Sequence, residues 1–537
     1  MKILKISVTF LLAILSSGIL SAQGIEESTK KGLESINEAV LKAQLSFLAS
    51  DWMEGRETGE KGEFLSADYI ASMLQLYGVK PGGNFSQMRG IATASGPGGQ
   101  SYFQNFSLLK TSPGDEQVLK VKWKDGEMLK TTNFTYNVDF TVRPSDPAIE
   151  IEAPVVFAGY GIKSDKLKYN DFNKLDLKGK FILRVTGSPE FIRKSLSATE
   201  LSAATREIET IARDMGAIGI IEFNPESAVA GGATERKDFL NMSPSEGSPR
   251  SGKPQASYSI PTKKGQDNLI RVTISAKTAN EIFKGTGIVL EDFLKKVNAN
   301  ELVTIPVFKG KNIYLKTTVK TSTVAVRNII GIIEGEKKDQ IVVIGAHYDH
   351  LGMGNGYLWN GADDNGSGTV AVMTIARAIM ATGKKPQKTI ILALWTAEEK
   401  GLLGSRYYVE NLTYPLADLK LHLNFDMISR YVSDTEPKKV TMTYTSTQTG
   451  FKDLTENNLK KYGIDLIVDY QASPAPTGGS DHRSFVAAGV PIMRFKPGHR
   501  EEYHTPGDEI RTINWDIMEK IIKISFANLW ELSNSDR

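Results

Sequence analysis

From Ser322 onward the chain alternates short apolar runs with helical stretches, and this alternation constrains the fold more than any other feature of the sequence. Gln340–Ala346 and Thr389–Trp395 are apolar runs of the length of a strand buried on both faces, and Leu419–Phe425 and Pro491–Phe495 repeat the theme. Ser367–Met380 has helical spacing, and Asn514 caps a final helix reaching about Ser533. Strands alternating with helices predict an α/β fold, a mainly parallel mixed sheet flanked by helices. No repeat of fixed period is visible.

At 537 residues the chain exceeds what one core spans, so two or more compact units are expected. Ser28–Tyr77 is helical in pattern, interrupted by the polar turn Ser50–Gly59, and the stretch from Pro81 to Gln104 reads as a Gly- and Ser-rich loop. A second compositional unit, residues 136–309, carries β-like runs at Val155–Gly159, Lys180–Val185 and Ile218–Glu222, a helical stretch at Ala203–Met215 and a Gly/Ser cluster at Ser243–Ser257. Nothing in it concentrates chemistry, so it reads as a smaller β-rich structural or substrate-gating module. It would be inserted between two segments of one catalytic domain, 23–135 and 310–537.

Lys2 and Lys5 precede the apolar stretch Ile6–Leu20, which ends in Ser21 and Ala22; residues 1–22 read as an export signal, with the mature chain starting near Gln23. The run is short of the roughly 20 residues a spanning helix needs, so no stable membrane insertion is expected once it is removed. The chain holds no cysteine, so stability outside the cell must come from packing and any metals. Periplasm or secretion fits. A formal charge of +3 with no basic, aromatic-interleaved run argues against a nucleic-acid partner.

In open sheets of this kind ligands bind beyond the carboxyl ends of the strands. His347 follows one strand, Glu398 and Glu399 a second, and Asp426 ends a third, while Asp363 and Asp364 lie in a Gly-containing loop before a helix. With His504 downstream, the groups suffice to hold two Zn²⁺ ions and leave room for a water. Two dications repel, so a bridging carboxylate is needed, for which either Asp363 or Asp364 would serve; His347, His504, Glu399 and Asp426 meet the remaining ligand count. Of the neighbours Glu398 and Glu399, one can point at the metal and the other take the proton of the water. Asp349, two residues from His347, could accept the other ring N–H and fix the tautomer. His482 is required by no metal count, and His350, His422 and His499 have no assigned work.

The segments G-A-His347-Y-Asp349, G-A-Asp363-Asp364-N-G-S-G, W-T-A-Glu398-Glu399, N-F-Asp426 and Tyr503-His504-T-P-G-D resemble those of the M28 family of zinc aminopeptidases. The middle unit, with Asp176-L-K-G-Lys180-F-I-L followed by A-I-G-I-I, resembles the protease-associated domain inserted in many of them. The resemblance implies that His347 and Asp426 ligate one zinc, Glu399 and His504 the other, that Asp364 bridges, and that Glu398 is the general base. It also implies that Tyr503 polarises the scissile carbonyl of a peptide substrate. Glutaminyl cyclases share the scaffold with one zinc, but here both histidines, the bridging aspartate and both glutamates are present. A binding protein that has lost catalysis, as transferrin receptor ectodomains resemble, would lack ligands, and none is missing. Carboxypeptidase action would need cations for a substrate carboxylate, for which Arg483, Arg494 and Arg500 are near in sequence.

Overall fold

The computed structural model describes residues 26–83, 101–143, 148–225, 256–261, 269–299, 310–354, 356–431, 433, 435–498 and 500–535. The export-signal stretch, the core of the first Gly-rich loop, most of the 243–257 cluster and His499 lie outside these residues. The chain forms two compact units: one holds the residues up to Leu108 together with Val324–Arg537, the other Leu109–Lys237 and Pro254–Thr323. The strands Phe103–Asp125 and Lys311–Ile333 carry the chain between them, so the second unit begins at Leu109 and ends at Thr323. Among the described residues no helix is long and apolar enough to cross a membrane.

In the first unit the strand order is Ile467–Ser473, Lys439–Thr445, Ile492–Lys496, Leu419–Asn424, Lys337–His347, Lys388–Trp395, and the last residues of Lys311–Ile333. The four strands from Ile492–Lys496 to Lys388–Trp395 run parallel, and Lys439–Thr445 and the end of Lys311–Ile333 flank them antiparallel. The predicted runs therefore form the centre of the sheet, as the burial of every residue of Lys388–Trp395 requires. The antiparallel edge was not visible: Lys439–Thr445 and Ile467–Ser473 alternate polar and apolar residues instead of forming apolar runs.

Helix Gly368–Ala381 is apolar nearly all round and sits in the core on one face of the sheet. Trp515–Ser533 packs on the same face, its first turn closed by the Asn514 side chain accepting from Ile517 N–H. Glu38–Leu48 and Lys61–Leu76 join this cluster through Leu41, Leu45, Leu48, Ile70 and Leu74. Trp395, Tyr408, Phe485 and Ile492 fill the opposite face. The N-terminal helices thus pack into the core of this unit.

The second unit has its own parallel run, Ile149–Phe157, Phe181–Val185, Gly219–Phe223 and Ile270–Ile274, with Phe140–Val142 antiparallel at the edge. The predicted helix Ala203–Met215 is two helices, Ala198–Arg206 and Ile208–Asp214. A separate cluster around Phe157, Leu183, Ile221, Val272 and Phe283 forms its core.

Candidate metal centre

The parallel strands of the first unit end level with one another: Gly345 lies opposite Asn424, Asn424 opposite Arg494, and His347 opposite Trp395. Each chain segment leaving this edge therefore delivers its next residues to one place. His347, Asp349 and His350 leave the central strand, Glu398 and Glu399 follow Trp395, and Asp426 follows Asn424.

The loop Ala362–Ser367 brings in Asp363 and Asp364, and glycine permits its approach. A Cβ on Gly361 (φ +58°) would lie 2.4 Å from the His350 ring, and one on Gly368 would lie 2.3 Å from Asn365 Oδ1. Asn365 staples this loop to the Asp426 segment: its Nδ2 donates to Phe425 O at 2.9 Å, and its Oδ1 accepts from Gly368 and Met427 N–H at 2.9 and 3.2 Å. Asp508 holds the other side, its two oxygens accepting from Asp363 and Asp364 N–H at 2.9 Å each.

The two aspartates of the loop face opposite ways. Asp363 turns inward, accepting from Ser429 N–H and hydroxyl at 2.9 and 2.6 Å. Asp364 turns to the site: Oδ1 lies 3.4 Å from His347 Nε2 and Oδ2 2.9 Å from His504 Nε2. Glu399 Oε1 lies 3.3 Å from His504 Nε2, and Asp426 Oδ1 4.0 Å from His347 Nε2. One carboxylate thus stands between two imidazoles, each with a further carboxylate beside it. Two groups are compact enough for an ion each, His347 with Glu398 and Asp426, and His350 with Asp364 and Glu399.

The electrostatics reflect this crowding. Burial works against a charge on His347, but the carboxylates of Glu398, Asp364 and Asp426 outweigh it and raise its pKa well above the usual value. His504 is likewise opposed by burial, yet Glu399 and Asp364 lift it to about 10. Asp364 and Glu399 are held low in spite of burial, by the imidazoles facing them. Glu398 goes the other way: burial, with Glu399, Asp481 and Asp426 nearby, raises it well above the carboxylate range. The cluster draws positive charge onto its imidazoles, which is the environment a hard or borderline dication requires.

Two placements differ from the sequence expectation. The His347 Nδ1 partner is the backbone carbonyl of Asp349 at 3.1 Å, while the Asp349 carboxylate stays at 3.7 Å. A residue two positions along the turn returns its carbonyl to the ring more readily than its side chain. That carboxylate instead accepts from Glu398 N–H at 3.0 Å, Glu399 N–H at 3.4 Å and the Thr58 hydroxyl at 2.9 Å, so it shapes the turn carrying both glutamates. His350, left without work by the sequence, is buried with Nδ1 3.0 Å from Glu399 Oε1. His422 is buried too, its ring stacked 3.7 Å from that of Phe485. His482 is buried beside Arg494, and Tyr503 stacks on His504 with ring centroids 3.9 Å apart.

Three supporting residues had no role assigned from the sequence. Arg56 is buried under the site and donates to the carbonyls of Tyr348 (2.8 Å), Leu48 (2.6 Å), Asn360 (2.6 Å) and Gly361 (2.8 Å), tying the segments that carry His347 and Asp364 to the polar turn before Lys61–Leu76. Burial pulls even this guanidinium down to about 10, against the attraction of Asp508, Asp364, Asp349 and Glu399. Asp481 is fully buried, and burial with Asp349 and Asp426 pushes it up to about 7. Glu63, beneath the Thr396 hydroxyl, is raised to about 8 by burial.

Residues 328–529 match the profile of Peptidase family M28. Leucine aminopeptidase 2 of Trichophyton equinum is 32% identical over 213 residues, 35% of this chain and 41% of that protein. Leupeptin-inactivating enzyme 1 of Streptomyces exfoliatus is 33% identical over 171 residues, 31% of this chain and 34% of that enzyme. The chain thus aligns with less than half the length of these curated relatives. An aminopeptidase from Aneurinibacillus sp. strain AM-1 shares the fold, with a TM-score of 0.56 over 95% of this chain and 97% of that one at 18% identity.

Proposed function

We propose that this chain is a metallopeptidase of the M28 type that removes N-terminal residues from peptides, with two Zn²⁺ ions held by His347, Asp426, Glu399 and His504 and bridged by Asp364. The observation that carries this reading is the Asp364 carboxylate between His347 and His504, with Asp426 and Glu399 flanking the two rings. The ions would supply a water of lowered pKa and a Lewis acid for the scissile carbonyl.

The protein residues around that chemistry have separate tasks. Glu398 shares its turn with a ligand but is held from behind by Asp349. Its raised pKa suits a base that accepts a proton from water and passes it to the leaving amine. Burial and the surrounding carboxylates keep the Tyr503 hydroxyl protonated, so it can donate a hydrogen bond to the developing oxyanion. Carboxylates of the site would hold the substrate ammonium. His350, bonded to Glu399 Oε1, orients that carboxylate.

The reading extends to the remaining expectations. The unit up to Leu108 with Val324–Arg537 is the catalytic part, the unit Leu109–Thr323 is the protease-associated module that the sequence bounds at 136–309, and the N-terminal apolar stretch directs export to the periplasm or medium. A cleavage assay with free, amino-blocked and carboxyl-blocked peptides, combined with metal analysis, tests the function. Hydrolysis that needs a free amino terminus, is lost on chelation and returns with Zn²⁺ is expected. Hydrolysis that persists after complete chelation, or that needs a free carboxyl terminus, contradicts it.

A further inference from the structure

The most exposed large apolar side chain among the described residues is Trp52, at 84%. It stands in the turn Asp51–Arg56, which is not free to fold it away. Its neighbour Met53 is buried, with Sδ accepting from the Ser66 hydroxyl at 3.3 Å, and Arg56 is buried as well. Glu54, Gly55 and Arg56 follow one another in the left-handed region, at φ +49°, +67° and +51°. That path is costly for the two residues with side chains, and the four Arg56 hydrogen bonds hold it. A Cβ on Gly62 would come within 1.7 Å of Met53 O, so glycine lets the turn lie on the next helix. A stiff indole held outward on a fixed turn loses little freedom when a ligand stacks on it.

Residues on both sides of Trp52 are tied to the metal centre. Asp51 Oδ1 accepts from Asn360 Nδ2 at 2.8 Å, and the same amide donates to Glu509 Oε1 at 3.1 Å, so the turn meets the segments that carry Asp364 and His504. Arg56 O accepts from His350 N–H at 3.0 Å. The hairpin of Gly352–Gly354 and Tyr357–Trp359 backs the turn: a Cβ on Gly55 would lie 2.5 Å from Trp359 O and 2.6 Å from Gly352 O. Met353 and Tyr357 of that hairpin are exposed too. From Asp364 to Asn360 the chain spans at most about 14 Å, a length that an extended peptide covers in about four residues.

Resting on the aminopeptidase reading, we propose that Trp52 is a specificity-determining residue for the departing part of the substrate. Its indole receives the side chain of the third or fourth residue of a peptide whose amino end lies at the metal centre, and that side chain is aromatic or large and aliphatic. The ligand is thus an oligopeptide of four or more residues rather than a dipeptide. Stacking so far from the bond that is cut acts on substrate and transition state alike, so it lowers KM and leaves kcat unchanged.

The test measures kcat and KM of the full chain loaded with Zn²⁺ on the peptides X-Gly-Gly-Gly, X-Gly-Phe-Gly and X-Gly-Gly-Phe, with X leucine, lysine or glutamate. For the best X, the better phenylalanyl peptide is expected to lead the all-glycyl one by about five- to twentyfold in kcat/KM, through KM. Trp52→Ala should abolish that lead and Trp52→Phe should keep most of it. Ile467→Ala, which truncates an exposed side chain of the edge strand Ile467–Ser473, should leave it unmoved. No lead in the unchanged protein, or a lead that survives Trp52→Ala, overturns the proposal while leaving the aminopeptidase reading standing. A dimer that dissociates in Trp52→Ala with the peptide preference unmoved also overturns it, since a second copy then covers the indole. No cleavage of any peptide of the set overturns the reading on which the proposal rests.

Discussion

Both units of this molecule build parallel strands from apolar runs, but they treat charge at those strands differently. In the second unit Arg184 and Asp171 are answered by neighbouring groups, and the buried Lys311 ammonium, which has no hydrogen-bond partner, lies 4.3 Å from the Trp123 ring centroid. Arg184 pairs with Glu222 at 2.7 Å, and the buried Asp171 accepts from Tyr160 and Ile162 N–H at 3.1 and 3.0 Å and from the Tyr169 hydroxyl at 2.6 Å. In the first unit Asp364, Glu398, Glu399, Asp426 and Asp481 crowd together in burial, and the available imidazoles are fewer than the carboxylates. Charges of one sign packed at low dielectric are costly, and here burial favours the protonated forms of Glu398 and Asp481 while the imidazoles of His347 and His504 are drawn positive. The two units share a sheet architecture, and among the described residues the compact groups of imidazoles and carboxylates lie in the first.

That contrast can be broken most directly at Asp364. Asp364→Ala removes the group standing between the two histidines, and the expected outcome is loss of both metals and of measurable turnover, read by metal analysis and peptide hydrolysis. Retention of two ions per chain would move the bridge to Asp363. Arg56→Met leaves four carbonyls without their donor and should lower stability by about 3–5 kcal/mol in urea unfolding, with weakened metal affinity. A change near zero would show that the loops hold themselves. The counterpart in the second unit is Asp171→Ala, which strands two N–H groups and should cost about 2–4 kcal/mol while turnover per folded molecule stays unchanged. Loss of metal in that variant would erase the distinction between the units.

The smallest effect concerns pH. Glu63 has its folded pKa raised to about 8 from 4.5 by burial, so between these values the folded state holds the extra proton. Its contribution to stability is full below about pH 4.5 and is lost as pH rises towards 8, at up to about 1.4 kcal/mol per unit. Glu63→Gln should flatten the pH dependence of urea unfolding in this window relative to the unchanged protein. Asp363, raised to about 7, titrates in both and cancels in the difference. An identical slope in both proteins would mean that Glu63 stays ionised.

Much of this cluster was legible in the sequence because several of its residues follow the ends of apolar strands, and strand period and residue type can be read together. His347, Glu398, Glu399 and Asp426 announce themselves in this way. Arg56 and Asp508 do not, since their partners are backbone groups far along the chain, Tyr348 and Asn360 for one, Asp363 and Asp364 for the other. Asp508 closes the same Tyr503–Asp508 segment that supplies His504, which was the available hint. His350 looked spare because spacing cannot tell a buried imidazole from an exposed one. The edge strands Lys439–Thr445 and Ile467–Ser473 were hidden by their polar alternation, and the second unit's boundary at Leu109 by long strands that change units within one run.

The division of labour between the adjacent glutamates is the central claim, and one paired measurement tests it: metal content and kcat of Glu398→Gln and Glu399→Gln side by side. Glu398→Gln keeps the shape and removes the base, so full metal content with a fall in kcat of about 10²–10⁴-fold or more is predicted, whereas Glu399→Gln should lose affinity for one zinc. Near-full activity in Glu398→Gln, or metal loss equal to that of Glu399→Gln, would contradict it.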